Sequence, residues 1–298
     1  MIRRSLIALA LATVCATAVG CAVQPDDASE GTQYASADDE IKSSPYAMPA
    51  DVCAFEAKMG WGQHHLMWHT VRQWDLLEGP DKDYATQQGW RRAALQEGDK
   101  GNGLEFLAMH RVMIRTLRTN FPKEASLFVG WSSPPTNPKD KVDPIPHGGN
   151  AAFDANMLAA IENVEKHPEQ FADDDAFGLY LETTLRPIKG SPDARSKDGS
   201  TGIHNYMHNR LMDPKSAIDL GDPSVNLQNK TFWRLHGWID AMWTAYRKAK
   251  GSSENDPKYK AALAAADLEM NHMPAKGMPG MPGMEPPPMS LRKFFEGR

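Results

Sequence analysis

The sequence predicts a mainly α protein, an antiparallel helix bundle with long loops, and three observations carry that prediction. Two stretches, Leu104 to Phe121 and Asn229 to Lys248, repeat apolar residues at three- and four-residue intervals, the period of one helix face. Residues 132–150 and 186–202 are rich enough in proline and glycine to read as long loops. Strand-like alternation is scarce, with Ser126 to Trp131 as a candidate short strand.

The chain opens Met-Ile-Arg-Arg-Ser and runs apolar from Leu6 to Val19. A basic start followed by a greasy stretch too short to span a bilayer reads as an export signal, residues 1–20. Arg3-Arg4 also resembles the start of a twin-arginine signal. Ala18-Val19-Gly20-Cys21 places small residues before a cysteine, as bacterial lipoprotein processing requires. The expectation is an exported envelope protein, periplasmic or at the outer membrane, held to the membrane through a lipid anchor at Cys21; ordinary cleavage nearby is the alternative. Residues 21–47 are rich in Asp, Ser, Gln and Ala and cannot bury enough surface to fold, so they read as a tether.

The folded body then starts at Met48 and holds roughly 220 residues, enough for one well-buried domain. Loss of Arg3 and Arg4 with the leader leaves 31 basic against 38 acidic residues, a net charge of about −7, which argues against nucleic acid as a partner. With Cys15 in the leader and Cys21 acylated, Cys53 stands alone and no intrachain disulfide is expected.

Along the body, residues 54–77 form a first helix pattern, its start blurred by Gly60 and Gly62 and its end set by Gly79-Pro80. Leu104 to Phe121 gives a second helix stopped by Pro122, and Phe153 to His167 a third stopped by Pro168. His204 to Met212 is a short helix, and Asn229 to Lys248 is the most amphipathic one, with Phe232, Leu235, His236, Ile239 and Trp243 on one face. Residues 251–298 read as a further helix and then a Met/Pro/Gly-rich tail.

Of ten histidines, two pairs stand at i and i+4, His65 with His69 and His204 with His208. Helical residues four apart share a face, so each pair can aim two imidazoles at one ion. About 0.3 such pairs are expected by chance at this content, and a single histidine on an apolar face is more often a packed core residue. Each pair, however, is followed by another histidine on an apolar helix face, His110 after the first and His236 after the second. Two all-imidazole triads without thiolate or carboxylate lean toward copper and leave positions open for an exogenous ligand. Bundles commonly build such binuclear metal sites between facing helices.

These residues resemble the type 3 copper proteins: tyrosinases, catechol oxidases and haemocyanins. His204-Asn-Tyr-Met-His208 is similar to the family's His-Asn-x-x-His, and Phe232-Trp-Arg-Leu-His236-Gly-Trp-Ile-Asp240-Ala-Met-Trp243 to its Phe-x-x-x-His-x-x-x-Asp-x-x-Trp, with Asp222-Pro223 ahead of it. Phe106-Leu-Ala-Met-His110-Arg111 resembles Phe-Leu-x-Trp-His-Arg, and His64-His-Leu-Met-Trp-His69 the His-rich first helix of arthropod members. Tyrosinases of bacteria and plants usually place a ligand nine residues before the His of Phe-Leu-x-Trp-His-Arg. That position here is Gly101, so the remaining ligands fall to His65 and His69, with His64 turned away.

The resemblance implies two copper ions per chain, one on His65, His69 and His110 and the other on His204, His208 and His236. It implies dioxygen and a phenolic small molecule as partners, with oxidation of phenols or o-diphenols to quinones. Asp240 is implied to steady a ligand imidazole, and Asn205 with Glu182 to help deprotonate a monophenol, although Glu182 precedes His204 by a longer interval than the family's. No cysteine precedes a ligand histidine as a thioether crosslink would require. A haemocyanin-like dioxygen carrier and a copper-buffering lipoprotein stay open as alternatives. The methionines from Met270 to Met289 are soft donors suited to Cu(I), and the tail could collect copper, cover the site or serve as a plain linker.

Overall fold

A computed structural model describes residues 44–136, 153–189 and 191–272, all within a single compact unit, and there the protein is mainly helical. The leader, Cys21, the tether up to residue 43, the loop from 137 to 152 and the Met-rich tail from Met273 lie outside the described residues.

The helix expected over 54–77 is divided in two, α1 (Ala50–Met59) and α2 (Trp61–Val71). Gly60 between them has φ 67°, a left-handed conformation that closes one helix and redirects the chain into the next. Gly79-Pro80 does not end a helix but begins one, α3 (Gly79–Gln87), because proline in a first turn gives up only an N–H that has no helical partner.

Next comes α4 (Asn102–Asn120), whose first turn is capped from a distance: Asp175 accepts the backbone N–H groups of Gly101 at 2.8 Å and Leu104 at 3.2 Å. The strand expected at 126–131 is instead the end of a 3-10 helix, Pro122–Phe128. Pro122 pre-sets its first turn, and Phe128 and Trp131 plug the core without strand pairing.

Two helices follow, α5 (Ala155–Lys166) and α6 (Asp174–Glu182), each opened by an aspartate, Asp154 and Asp173, that accepts backbone N–H groups. Residues 186–202, expected as a loop, contain an antiparallel hairpin of β1 (Leu185–Ile188) and β2 (Ser191–Lys197). Pro187 and Pro192 hid it from a reading by composition. A two-stranded ribbon is all edge, however, so it tolerates prolines that a central strand would not.

The remaining helices are α7 (Ile203–Leu211), α8 (Lys230–Ala249) and α9 (Pro257–Asp267), the last running into a π-helical turn at Leu268–His272. At the other end of the described chain, Met48 is buried and Tyr46 accepts the Lys230 N–H at 2.7 Å, so the packed structure begins slightly before Met48. No helix of the described residues is long and apolar enough to cross a membrane.

The core is aromatic, with Phe106, Phe177, Phe232, Trp233, Trp238 and Trp243 fully buried. Helix α4 packs against α6, α8 and α9. Its register against α8 is held by Arg111, 3 % exposed, which pairs with Asp240 at 2.5 Å, donates to Thr244 Oγ1 at 2.8 Å and stacks over Trp243 at 3.9 Å. Tyr259 of α9 is buried and accepts from the same guanidinium at 3.1 Å. Arg111 follows His110, and Asp240 lies one turn beyond His236, so this contact sets the two histidines against each other.

Candidate metal centre

Four helices bring the six histidines into one cluster: His65 and His69 from α2, His110 from α4, His204 and His208 from α7, and His236 from α8. Within the i, i+4 pairs the ring centroids are 4.8 Å apart for His65 and His69 and 4.5 Å for His204 and His208. Across the helices, His110 and His236 stack at 4.1 Å, His65 lies 5.7 Å from His110, and His69 lies 5.9 Å from His204. Phe106 and Phe232 wall the cluster, Phe232 stacking on His236 at 3.8 Å and Phe106 lying 4.8 Å from His204. Five of the rings are buried, and His208 is partly exposed.

Hydrogen bonding fixes the tautomer of five rings. The Nδ1–H groups of His110 and His236 donate to the carbonyls one turn back in their own helices, Phe106 at 3.0 Å and Phe232 at 2.8 Å. Two more donate into the loop before α8, His65 to the Pro223 carbonyl at 3.0 Å and His208 to the Leu220 carbonyl at 2.7 Å. His204 donates to Asn205 Oδ1 at 3.0 Å. A carbonyl oxygen only accepts, so the proton sits on Nδ1 and each Nε2 carries a bare lone pair.

Those lone pairs have nowhere to go within the protein. Nε2 of His65, His110 and His208 is buried without a hydrogen-bond partner, and Nε2 of His204 faces Nε2 of His236 at 3.1 Å. Two opposed lone pairs repel, and buried acceptors left unpaired cost free energy that a cation would recover. The charge state agrees. Burial first, and then neighbouring imidazoles, hold His69, His110, His204 and His236 well below the ordinary histidine range. Burial brings His65 down to about 3 and His208 to about 4. All six are neutral near pH 7, the state in which imidazole binds metal.

Nitrogen atoms of His65, His69 and His110 lie within 4.8 Å of one another, and so do those of His110, His204 and His236. The first group is the expected triad. In the second, His110 replaces His208, because the stacked crossing of α4 and α8 puts His110 within reach of both groups. His208 stands beside the second group, 5.4 Å from His236 between ring centroids, with its Nε2 free.

The surrounding residues need correction. Asp240 does not hold His236; it pairs with Arg111. Helical side chains lean toward the N-terminus, so His236 meets the carbonyl four residues before it rather than the carboxylate four residues after. Glu182 does not line the histidine cleft, nor is it a solvated helix glutamate: it is 1 % exposed, and burial with the nearby charge of Glu97 pushes its carboxyl well above the usual range. The carboxylate joined to Asn205 is Glu97, whose Oε1 accepts from Asn205 Nδ2 at 3.2 Å and whose Oε2 accepts from Gln73. No period or motif in residues 90–101 singles out Glu97.

Gly101, at the place where the resembled family often has a ligand, has φ 105° and precedes the first turn of α4. His64 is buried at 4.9 Å from Trp90 and 3.7 Å from Glu269, outside the cluster. Cys53 is half-buried, its thiol 3.7 Å from the Met48 carbonyl. Met270 is buried in the core and accepts from Trp61 Nε1 through its carbonyl at 2.9 Å.

A narrow cleft of about 40 Å³ reaches the cluster, lined by His65, His69, His204, His208, Gln73, Asn205, Asn209, Gly221, Pro223 and Asn226. Its walls carry no bulky apolar side chain. Asn205 and Asn209 also line a neighbouring groove that includes Glu97, Tyr206 and Met157. No protein-family model and no curated protein matches this chain.

Proposed function

We propose that this protein is a binuclear copper oxidoreductase of the type 3 kind, an antiparallel helix bundle whose metal site uses dioxygen to oxidise phenols or o-diphenols to quinones. The observation that carries the reading is the set of five tautomer-fixed imidazoles whose Nε2 lone pairs are buried without a protein donor, three with no partner and those of His204 and His236 facing each other. Neutral imidazoles without thiolate or carboxylate in the donor set suit copper. His65, His69 and His110 would hold one ion, and His204, His208 and His236 the other, with His110 close enough to turn toward either. A bound copper pair supplies electron exchange with dioxygen and a Lewis acid for the phenol oxygen.

The chain supplies orientation and proton handling. The loop carbonyls of Leu220 and Pro223 and the helix carbonyls of Phe106 and Phe232 keep the rings aimed inward. Asn205, which lines both the cleft and the neighbouring groove, links His204 to Glu97, whose carboxylate lines the groove and would serve there as the acceptor for a phenol proton. The cleft beside His204 and His208 is narrow, but no bulky apolar side chain lines it over the histidines, which supports an enzyme over a dioxygen carrier. The leader and Cys21 support placement as a lipid-anchored bacterial envelope protein.

Copper quantification on the purified mature protein, with oxygen uptake on a catechol and a monophenol, tests the reading. Two coppers per chain and turnover abolished by His208→Ala are expected. Fewer than two coppers, or turnover indifferent to that substitution, would overturn it.

A further inference from the structure

A second cavity lies apart from the histidine cleft and shares no lining residue with it. Its volume is about 280 Å³, and its walls include Cys53, Glu56, Gln63, Ser224 and Gln228. Glu56 is 3 % exposed, and neither of its carboxyl oxygens has a hydrogen-bond partner. A buried carboxyl with both oxygens unpaired is costly, and natural cores rarely keep one without something to meet it. Cys53 stands three residues before Glu56 on α1, a spacing that puts the two side chains on one helix face.

We propose that Cys53 and Glu56 form a binding site for a divalent cation of the zinc class, separate from the histidine cluster. A thiolate and a carboxylate together neutralise a 2+ ion, so the buried complex carries no net charge. Sulfur and carboxylate oxygen are both ordinary zinc donors, and the polar residues Gln63, Ser224 and Gln228 line the same cavity.

Without an ion, burial holds the Glu56 carboxyl well above its usual range. Burial together with the charge of Glu56 holds the Cys53 thiol up to about 11. Burial thus favours the protonated form of both groups. Binding exchanges protons for metal: the S–H and O–H bonds break, two protons pass to solvent, Zn–S and Zn–O bonds form, and no electron moves. The neutral imidazoles of the histidine cluster would release none, so the two sites differ in stoichiometric proton release.

The test uses copper-loaded full-length protein with zinc as the probe, reading alkylation of Cys53 by peptide mass spectrometry and proton release in weak buffer. Zinc should slow alkylation at least tenfold and release two protons per ion bound at this site. Glu56→Gln, isosteric with the protonated carboxyl, should raise the zinc concentration needed for protection at least tenfold and reduce release to one proton. Alkylation unaffected by zinc in the unsubstituted protein would overturn the proposal. So would equal protection in Glu56→Gln, or protection without proton release. Because the first result needs no substitution, a folding defect in the variant cannot rescue the idea. Cys53 protection is also read independently of whether the histidines hold copper.

Discussion

At Asn205 a single side chain does two jobs, accepting from His204 Nδ1 and donating to Glu97. Removing it releases the His204 ring from its tautomer and leaves the Glu97 carboxylate with one donor fewer. Asn205→Ala should weaken copper binding about 10- to 100-fold, the range typical for partners that orient metal ligands, as read by competition with a chelator of known affinity. Glu182→Gln should leave both copper affinity and oxygen uptake intact, because burial favours the neutral carboxyl, of which an amide is a near-isostere, and Glu182 does not line the cleft. A tenfold loss in that variant would restore Glu182 to the site. Four of the six histidines were legible as pairs because helical spacing is a local property, i and i+4 sharing a face wherever the helix goes, whereas His110 and His236 were legible from the apolar faces and motifs around them. Glu97 was not legible, since its place beside Asn205 depends on how the aperiodic stretch before α4 folds back over α7. Asp240 was legible as a partner of something buried, but its partner came from another helix.

Between helices, close approach is set by glycines. A Cβ on Gly178 of α6 would lie 2.1 Å from the carbonyl oxygen of Gly103 in α4, and one on Gly103 would lie 2.3 Å from the backbone of Asp175 and Leu179. Backbone cannot move aside as a side chain can, so the helices must separate. Gly178→Ala should therefore lower stability by about 1–3 kcal/mol, the usual range for overpacking, measured by urea unfolding; an unchanged midpoint would show that the contact is slack. Asp240→Ala acts at the other face of α4. It strands the Arg111 guanidinium in the core without its carboxylate, at a cost of about 3 kcal/mol, and because that contact sets His110 against His236, copper affinity read by chelator competition should fall with it. Most helices could be read from the sequence because an apolar stripe and a proline or aspartate boundary coincide, as at Asp154 and Asn229. The division at Gly60 and the hairpin at 185–197 could not, because glycine and proline mark a change of direction without saying whether a helix, a strand or a loop follows.

For the molecule as a whole, the histidine cluster ties stability to pH. In the unfolded chain an imidazole titrates near 6.5, whereas in the folded, metal-free chain His65 is lowered to about 3, His208 to about 4 and the other four lie well below the ordinary range. Between those limits the unfolded state binds more protons than the folded one, so stability rises with pH. It is complete above about 6.5 and is lost as pH falls toward 4. A histidine held below its unfolded value contributes a slope of at most about 1.4 kcal/mol per pH unit in that window, so several acting together erode the marginal stability of a domain this size. The metal-free protein should therefore show a melting temperature that is level above pH 7 and falls steeply below 6.5, with unfolding complete well above the pH at which carboxylates titrate. Copper must shift that fall to lower pH, because a bound ion competes with protons for the same nitrogens. His167, which is 59 % exposed and lies 4.0 Å from Glu169 outside the cluster, provides the control: His167→Gln should leave the profile unchanged. A melting temperature that copper does not displace would mean that the six rings are ordinary core residues, and one indifferent to pH between 6.5 and 5 would mean that burial does not hold them neutral.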